Sequence, residues 1–517
     1  MMTSNNKKTI IFLLLVVCAV YANSLVSGFV WDDNWLIISK QAFFSHPENA
    51  IKILFSSDAP LGGEFPYYRP FNTLTYMLDH YLWGLHPFWY HLENIALHAL
   101  AVVLFYLLLK KVFADGRLAF LAAVFFAVHP VNAEAVDLVS SRNTLFCAVF
   151  SIVALLFLAK GGTKWVIMSF FAYFLALLSK EPAVVIPFFL LSLRLTSKEE
   201  KFKAKWNILA GFFGITAVYF IMRHFILGAF IEKNGITFST DRFKLVTSTV
   251  FEHFRLMLFP FRLNALYLKK AIPFRPYKAV AVIAGISLLL YVAVKKGSPA
   301  PVRAGVQWIL WGMLPVSGIV KIPSAPIAER FQYTFLFGLA IVFGYLFGKM
   351  QKKKALAGTA LASAFVLALG VRTIKRNFVW RDDLNLYSSM VRSDPENTLA
   401  LYDLGVAYGK AGNLASAAQK FRTAISIDPE DIKARVNLGV AYAKEGHLDE
   451  AIQAFKAAVA TNPNYIETLI DLGVAYAKEG HFKEAEDKFN RVLELDPDNS
   501  PAFEYLGRIK TLKGTRD

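Results

Sequence analysis

The chain has 517 residues, of which 55% are hydrophobic, 15% aromatic and 18% charged, with a formal net charge of +17. Soluble domains carry about 25% charged residues, so this balance excludes a purely soluble protein. The positive excess sits in short loops between apolar runs, which is the mark of a membrane protein's cytoplasmic side rather than of a nucleic-acid surface. Cys18 and Cys147 both lie inside apolar runs and offer no disulfide framework. In chain order, Lys7 and Lys8 precede an apolar run that reads as an uncleaved first span rather than a removed signal peptide, because many further runs follow. Spans are predicted near 9–25, 92–109, 118–136, 144–159, 164–179, 182–194, 206–222, 279–294, 304–320, 331–348 and 355–371, about eleven in all.

Sidedness follows from the loops. Lys7/Lys8, Lys110/Lys111/Arg117, Lys160/Lys164, the run Arg194 to Lys205, Lys295/Lys296/Arg303 and Lys349/Lys352/Lys353/Lys354 fall on one side, which the positive-inside rule makes cytoplasmic. An odd number of spans then puts the C-terminal region outside. Arg372, Lys375 and Arg376, at the outer end of the last span, run against this assignment.

The outer side carries the unusual polar residues. The first outer loop, 26–91, contains FVWDDNWLIIS, in which Asp32 and Asp33 stand between Trp31 and Trp35. It also holds Glu48, Asp58, Glu64 and Asp79 against Lys40, Lys52 and Arg69, with Tyr68 among many aromatics. His129, Glu134, Asp137 and Arg142 fall at the outer end of the third span, Lys180 and Glu181 at that of the fifth, and Glu329 and Arg330 at the start of the tenth. Charges near a bilayer are costly unless paired or hydrated, so each points to a partner or a cavity. The segment 223–278 has ten basic and three acidic residues and is predicted to be interfacial or re-entrant. It reads either as a helix touching lipid head groups or as an arginine cradle, Arg255 and Arg262 included, for a lipid phosphate.

An acidic, aromatic-walled site beside a basic, membrane-apposed one suits transfer of a sugar from a polyprenyl phosphate. The phosphate leaving group needs cations and the attacking hydroxyl needs a general base. Asp32 and Asp33 are the catalytic candidates. Neighbouring residues diverge by about 100° on a helix or point oppositely on a strand, so the two do not both face one acceptor: one takes its proton, and the other supports the fold, binds a cation or holds the acceptor. Arg330, Arg255, Arg262, Arg142 and Lys180 are the donor-phosphate candidates, and Trp31, Tyr68, Arg69, Asp79, His91 and Glu134 the substrate-binding ones. His91 and His98 share a helix face, but no third ligand has zinc spacing. No metal site is expected, although a divalent cation at the carboxylates is compatible with them.

Beyond residue 380 the chain repeats. Pro395, Pro429, Pro463 and Pro497 are 34 residues apart, as are Gly405, Gly439, Gly473 and Gly507. Leu404/Tyr408, Leu438/Tyr442 and Leu472/Tyr476 recur with Ala417/Phe421, Ala451/Phe455 and Ala485/Phe489. This is the tetratricopeptide (TPR) period, with three full repeats and flanking half-units near 381–394 and 500–513. The fold class is therefore all-α: a polytopic helical membrane domain over 1–375, then an α-solenoid of TPR repeats over 381–517.

The arrangement resembles the GT-C superfamily of membrane glycosyltransferases. More closely, it resembles the transmembrane and TPR repeat-containing (TMTC) O-mannosyltransferases, through FVWDDNWLI, YYRPFNTLTYMLDHYLWGLHPFWYHLENIALHAL, HPVNAEAVDLVSSRNTL, SKEPAVVIP and ERFQYTFLFGLAI followed by the TPR array. The resemblance implies a GT-C-like transmembrane domain, mannose transfer from a lipid phosphate to Ser/Thr hydroxyls of extracytoplasmic proteins, and Asp32/Asp33 at the reaction centre. In the leading reading the TPR domain presents or recruits the protein acceptor. The short array and the KGTRD terminus depart from the family and leave acceptor and sugar open. The expected location is the cell (inner) membrane, multi-pass, with a cytoplasmic N-terminus, an extracytoplasmic TPR domain and no nucleic-acid partner. Two other readings stand beside it: transfer of a lipid-linked sugar to a cell-surface glycan, and a non-catalytic membrane-anchored TPR scaffold. A transporter is disfavoured, because the charges gather at one face rather than at the midplane.

Overall fold

The computed structural model describes residues 4–55, 67–227, 239–267, 272–319 and 327–514. Among them the regular structure is helical, with one isolated antiparallel bridge between Tyr267 and Ile327. The chain divides into two compact units, Met1–Asp382 and Asp383–Asp517. The first extends beyond 375 because Trp380 is fully buried in it and the Arg381 carbonyl accepts from Gly28 N at 2.9 Å.

Among the described residues, seven helices of the first unit are long and apolar enough to cross a bilayer: Asn6–Val26, Pro87–Phe113, Val139–Lys160, Trp206–Leu227, Pro276–Val294, Glu329–Lys353 and Ala355–Trp380. The helices Gly116–Val128 and Pro130–Asp137 form a bent pair, meeting at 54°, that together is long and apolar enough for one further span. Pro130 cannot donate the backbone hydrogen bond that would continue the helix. Thr163–Ser179 is a shorter apolar helix. The spans predicted at 182–194 and 304–320 are helices of only 12 and 14 residues, Val185–Thr196 and Ala300–Met313. At 1.5 Å per residue they reach about 18 and 21 Å, short of a hydrocarbon core of about 30 Å. Prolines set both limits: Pro182 lies in the preceding 3₁₀ turn and Pro315 in the following one.

Close packing of the long helices rests on small residues. A Cβ on Gly305 would lie 2.6 Å from the Gly338 carbonyl, so the two backbones touch where those helices cross. Phe105, Phe126, Tyr333 and Phe337 fill the centre. Polar contacts draw helix ends together at one pole: Asn94 Nδ2 donates to the Val136 carbonyl (3.1 Å), Thr373 Oγ1 to Val128 (2.6 Å) and Asn377 Nδ2 to Val20 (2.9 Å). The basic segment contains the amphipathic helix Thr240–Leu258, which is not among the helices long and apolar enough to cross a membrane. Asp58, Glu64, Glu232, Lys233, Lys269 and Lys270 lie outside the described residues.

The second unit is eight helices, from Asp383–Ser393 to Ser500–Gly514, arranged as helix pairs. The repeated Gly–Phe pairs explain the period. A Cβ on Gly405, Gly439 or Gly473 would stand 2.5, 2.6 or 2.8 Å from the ring of Phe421, Phe455 or Phe489, so each ring seats against a bare backbone. Asn397, Asn413 and Asp431 cap helix starts, each accepting from a backbone N–H three residues on.

Candidate active site at the Trp-Asp-Asp pole

The first helix ends in a 3₁₀ turn, Ala22–Val26, and the chain then runs extended to Trp31. Trp31 has φ 50° and ψ −117°, a left-handed conformation that costs a non-glycine residue about 1–3 kcal/mol. The surroundings hold it there. His91 Nε2 lies 3.2 Å from the Gly28 carbonyl, and the Trp31 indole stacks on Trp380 with centroids 6.3 Å apart.

The turn at Trp31 starts the short helix Asp32–Leu36 and sends its first two side chains apart. Asp33 is fully buried. It accepts from Ser140 N at 2.6 Å on one oxygen, and from Val30 N and Val139 N, both at 3.3 Å, on the other. Burial pushes its carboxyl up to about 7, with these donors pulling it back. Asp33 is a bolt between the first outer loop and the 139–141 turn, so of the predicted catalytic pair it is the supporting member. Asp32 points the other way, its side chain 42% exposed and 4.0 Å from the Arg330 guanidinium. Burial raises its pKa and Arg330 draws it back down.

Arg330 stands beside Asp32, and Lys180 and Arg69 in turn lie near Arg330. Arg330 grips Glu134, which is fully buried and accepts both from its guanidinium and from its backbone N at 2.9 Å. Arg69 donates to Glu181 at 2.8 Å and lies 4.3 Å over the Tyr67 ring. Lys180 donates to a hydroxyl, Thr144 Oγ1, at 2.6 Å rather than to a carboxylate. Burial, then the charges of Arg69 and Arg330, lower Lys180 to about 7. Among the described residues, Arg69 Nε, Glu181 Oε1 and Tyr219 OH are buried without a hydrogen-bond partner. Buried polar atoms are normally satisfied, so these can take a further polar group or water.

The other candidates lie in the framework. Arg142, assigned from sequence to a phosphate, has no exposed surface. It bonds Asp79 and Asn94 (2.8 Å), pairs with Glu93 (3.0 Å) and donates to the Tyr90 carbonyl (3.2 Å). It therefore cannot reach a donor, and Asp79 is its counter-charge rather than a substrate contact. His91 holds Gly28, and Tyr68 donates to the Leu54 carbonyl at 2.8 Å, so both support the loop. Arg255 is closed on Glu252 (2.5 Å) and bonds the Arg262 carbonyl, while Arg262 is exposed. Among the described residues no ion pair or hydrogen bond joins either arginine to Asp32, Arg330 or Lys180. His98 is satisfied by Tyr333 OH (2.7 Å) and the Ala127 carbonyl (3.2 Å). Among the described residues no group of three or more His, Cys, Asp or Glu side chains is arranged to hold a metal ion.

Sequence reasoning named Glu329 and Arg376 without their partners, and passed over Thr144 and Trp380. Glu329 is fully buried and accepts from Arg376 at 2.9 and 3.1 Å and from Tyr267 OH at 3.2 Å. Arg376 in turn lies 5.6 Å from the Trp380 ring. Arg376 is thus an internal partner, and Arg372 bonds the Pro260 and Phe261 carbonyls, so two of the three charges that ran against the topology are consumed by the fold. A signal for Trp380 was present: the tripeptide Phe-Val-Trp occurs at 29–31 and again at 378–380, and the two tryptophans stack.

Comparison with known proteins covers both units. Tetratricopeptide-repeat family models match residues 384–432, 402–466 and 443–508. Among relatives, the protein O-mannosyl-transferase TMTC3 of Mus musculus is 35% identical over 36% of this chain and 21% of its own length. The protein O-mannosyl-transferase F38B6.6 of Caenorhabditis elegans is 26% identical over 82% of this chain and 63% of its own. TMTC4 of Homo sapiens, likewise named a protein O-mannosyl-transferase, is 24% identical over 80% and 65%. The chain thus spans less than two thirds of the length of each. Among solved structures, MamA is 24% identical over 29% of this chain and 85% of that one, with a TM-score of 0.25. The first TPR domain of Spaghetti (RPAP3), bound to an HSP90 peptide, is 27% identical over 23% and 96%, with a TM-score of 0.23. The chain is thus similar, over about four fifths of its length, to proteins named protein O-mannosyl-transferases, and it carries a tetratricopeptide-repeat unit at its C-terminal end.

Proposed function

We propose that the first unit transfers a sugar, mannose, from a polyprenyl phosphate to serine or threonine hydroxyls of extracytoplasmic proteins, and that the TPR unit engages those acceptors. The observation that carries this reading is Asp32, partly exposed and 4.0 Å from Arg330, whose neighbours include Lys180 and Arg69. In the step, the bond from the anomeric carbon to the phosphate oxygen breaks and a bond to the acceptor oxygen forms. The acceptor proton passes to the Asp32 carboxylate, and the electron pair leaves with the polyprenyl phosphate. A carboxylate whose pKa is raised by burial is a stronger base than one in water. Arg330, seated on Glu134, keeps its position as charge builds on the leaving phosphate, so little reorganisation is needed. Lys180 adds a charge as the phosphate arrives. The names of the relatives support mannose and protein acceptors.

The same reading makes the protein multi-pass in the cell (inner) membrane, with the N-terminus and the lysine-rich helix ends cytoplasmic and the Asp32 pole and TPR unit outside. The test is transfer of radiolabelled mannose from polyprenyl phosphate by the purified chain, offered protein and surface-glycan acceptors in parallel. Label in hydroxyls of protein supports the proposal. Label in glycan alone replaces the acceptor, and label in neither overturns the activity.

A further inference from the structure

At the pole opposite Asp32 the helices Pro87–Phe113, Val139–Lys160, Val185–Thr196, Trp206–Leu227, Ala300–Met313 and Glu329–Lys353 enclose a cavity of about 260 Å³. Phe105, Leu109, Leu155, Leu190, Trp308 and Ile341 wall it. Phe105 and Leu109 lie 14 and 18 residues beyond His91 on one helix. That is about 21 and 27 Å at 1.5 Å per residue. The cavity therefore occupies the far half of a hydrocarbon core about 30 Å thick, away from the Arg69–Lys180–Arg330 group.

Its charged lining is Lys203 and Lys205. Both belong to a segment fastened across the helix ends: Arg194 donates to the Ala204 carbonyl at 2.8 Å and lies 4.4 Å over the Trp206 ring. Lys203 pairs with Glu200 at 2.6 Å, while Lys205 is exposed. Lys110, Lys111, Lys160 and Lys164 close the neighbouring helix ends. The opening is therefore strongly cationic and the interior is apolar.

Engineered apolar cavities of about 150 Å³ stay dry and take up apolar guests because their walls offer water no polar partners, and the walls of this one are likewise largely apolar. The apolar guest at hand in a membrane is an acyl chain, and lysines at the lipid surface select anionic head groups. We infer that the cavity binds an anionic phospholipid, with one acyl chain between the helices and the phosphate on Lys203 and Lys205. The site is separate from that of the sugar donor.

The test uses the full chain in phosphatidylcholine nanodiscs doped with a phosphatidylglycerol carrying a photoactivatable diazirine at the end of one acyl chain, and in parallel the phosphatidylcholine with the same label. The expected result is cross-linking to peptides 105–113, 152–159 and 189–193, several-fold greater with phosphatidylglycerol. The signal should fall several-fold in the double variant Lys203→Glu/Lys205→Glu and be lost in Leu155→Trp, which fills the cavity. Equal labelling of those peptides by the two lipids in the wild-type chain overturns the inference without depending on any variant. Suppression by unlabelled polyprenyl phosphate, but not by phosphatidylglycerol, would also overturn it, by making the cavity the donor's tail site.

Discussion

Replacing Asp33 by asparagine separates a structural role from a chemical one. The carboxylate serves three backbone donors, Ser140 N on one oxygen and Val30 N and Val139 N on the other. An amide has one acceptor oxygen, so its NH₂ must face either one donor or two. The cheaper orientation leaves Ser140 N–H without an acceptor in a fully buried setting. An orphaned buried donor costs about 1–3 kcal/mol. Asp33→Ala orphans all three and should be worse than Asp33→Asn. The assay is equilibrium unfolding of the purified chain in mixed detergent, with sugar transfer measured on the fraction that remains folded. The expected outcome is a stability loss graded Ala beyond Asn, with folded Asp33→Asn protein keeping most of its turnover. Native stability together with abolished transfer would refute the reasoning and make Asp33 a reacting group.

The buried pair Glu329–Arg376 should behave as a unit: Arg376→Met strands a buried carboxylate and costs about 3–5 kcal/mol, while Glu329→Gln/Arg376→Met recovers much of that in the same unfolding assay. Lys180 is held near 7 by burial and by two neighbouring guanidiniums, so an arriving phosphate favours its charged form and binding takes up a proton. Affinity for the polyprenyl phosphate mannose diester should therefore be full below about pH 6 and weaken as pH rises through 7, a dependence that Lys180→Met flattens; titration calorimetry across pH checks it. A reporter active only outside the cytoplasm, fused after residue 517, should be active, whereas full expression without activity would mean an even number of crossings.

The TPR unit was legible in detail because its determinants are local and periodic: each Gly–Phe contact lies within one 34-residue repeat, so spacing alone exposes it. The polytopic helical character was legible from apolar runs, yet the runs at 182–194 and 304–320 did not show how little helix survives beside Pro182 and Pro315. At the pole, sequence placed the charges but could not separate working ones from framework. Arg142 and Arg330 are both arginines at the outer end of an apolar run. Their difference lies in partners 63 and 196 residues away, Asp79 and Glu134. The divergence of Asp32 and Asp33 follows from helix geometry, but which of them faces Arg330 is decided by the Ser140 backbone, 107 residues on.

The central claim, that Asp32 takes the acceptor proton, is tested most directly by transfer of radiolabelled mannose from polyprenyl phosphate by purified Asp32→Asn protein. Arg330 remains seated on Glu134 in that variant, so donor binding should persist. Transfer should fall about 10²–10⁴-fold, the usual cost of losing a general base. Transfer at the wild-type rate, with the donor still bound, would contradict the account.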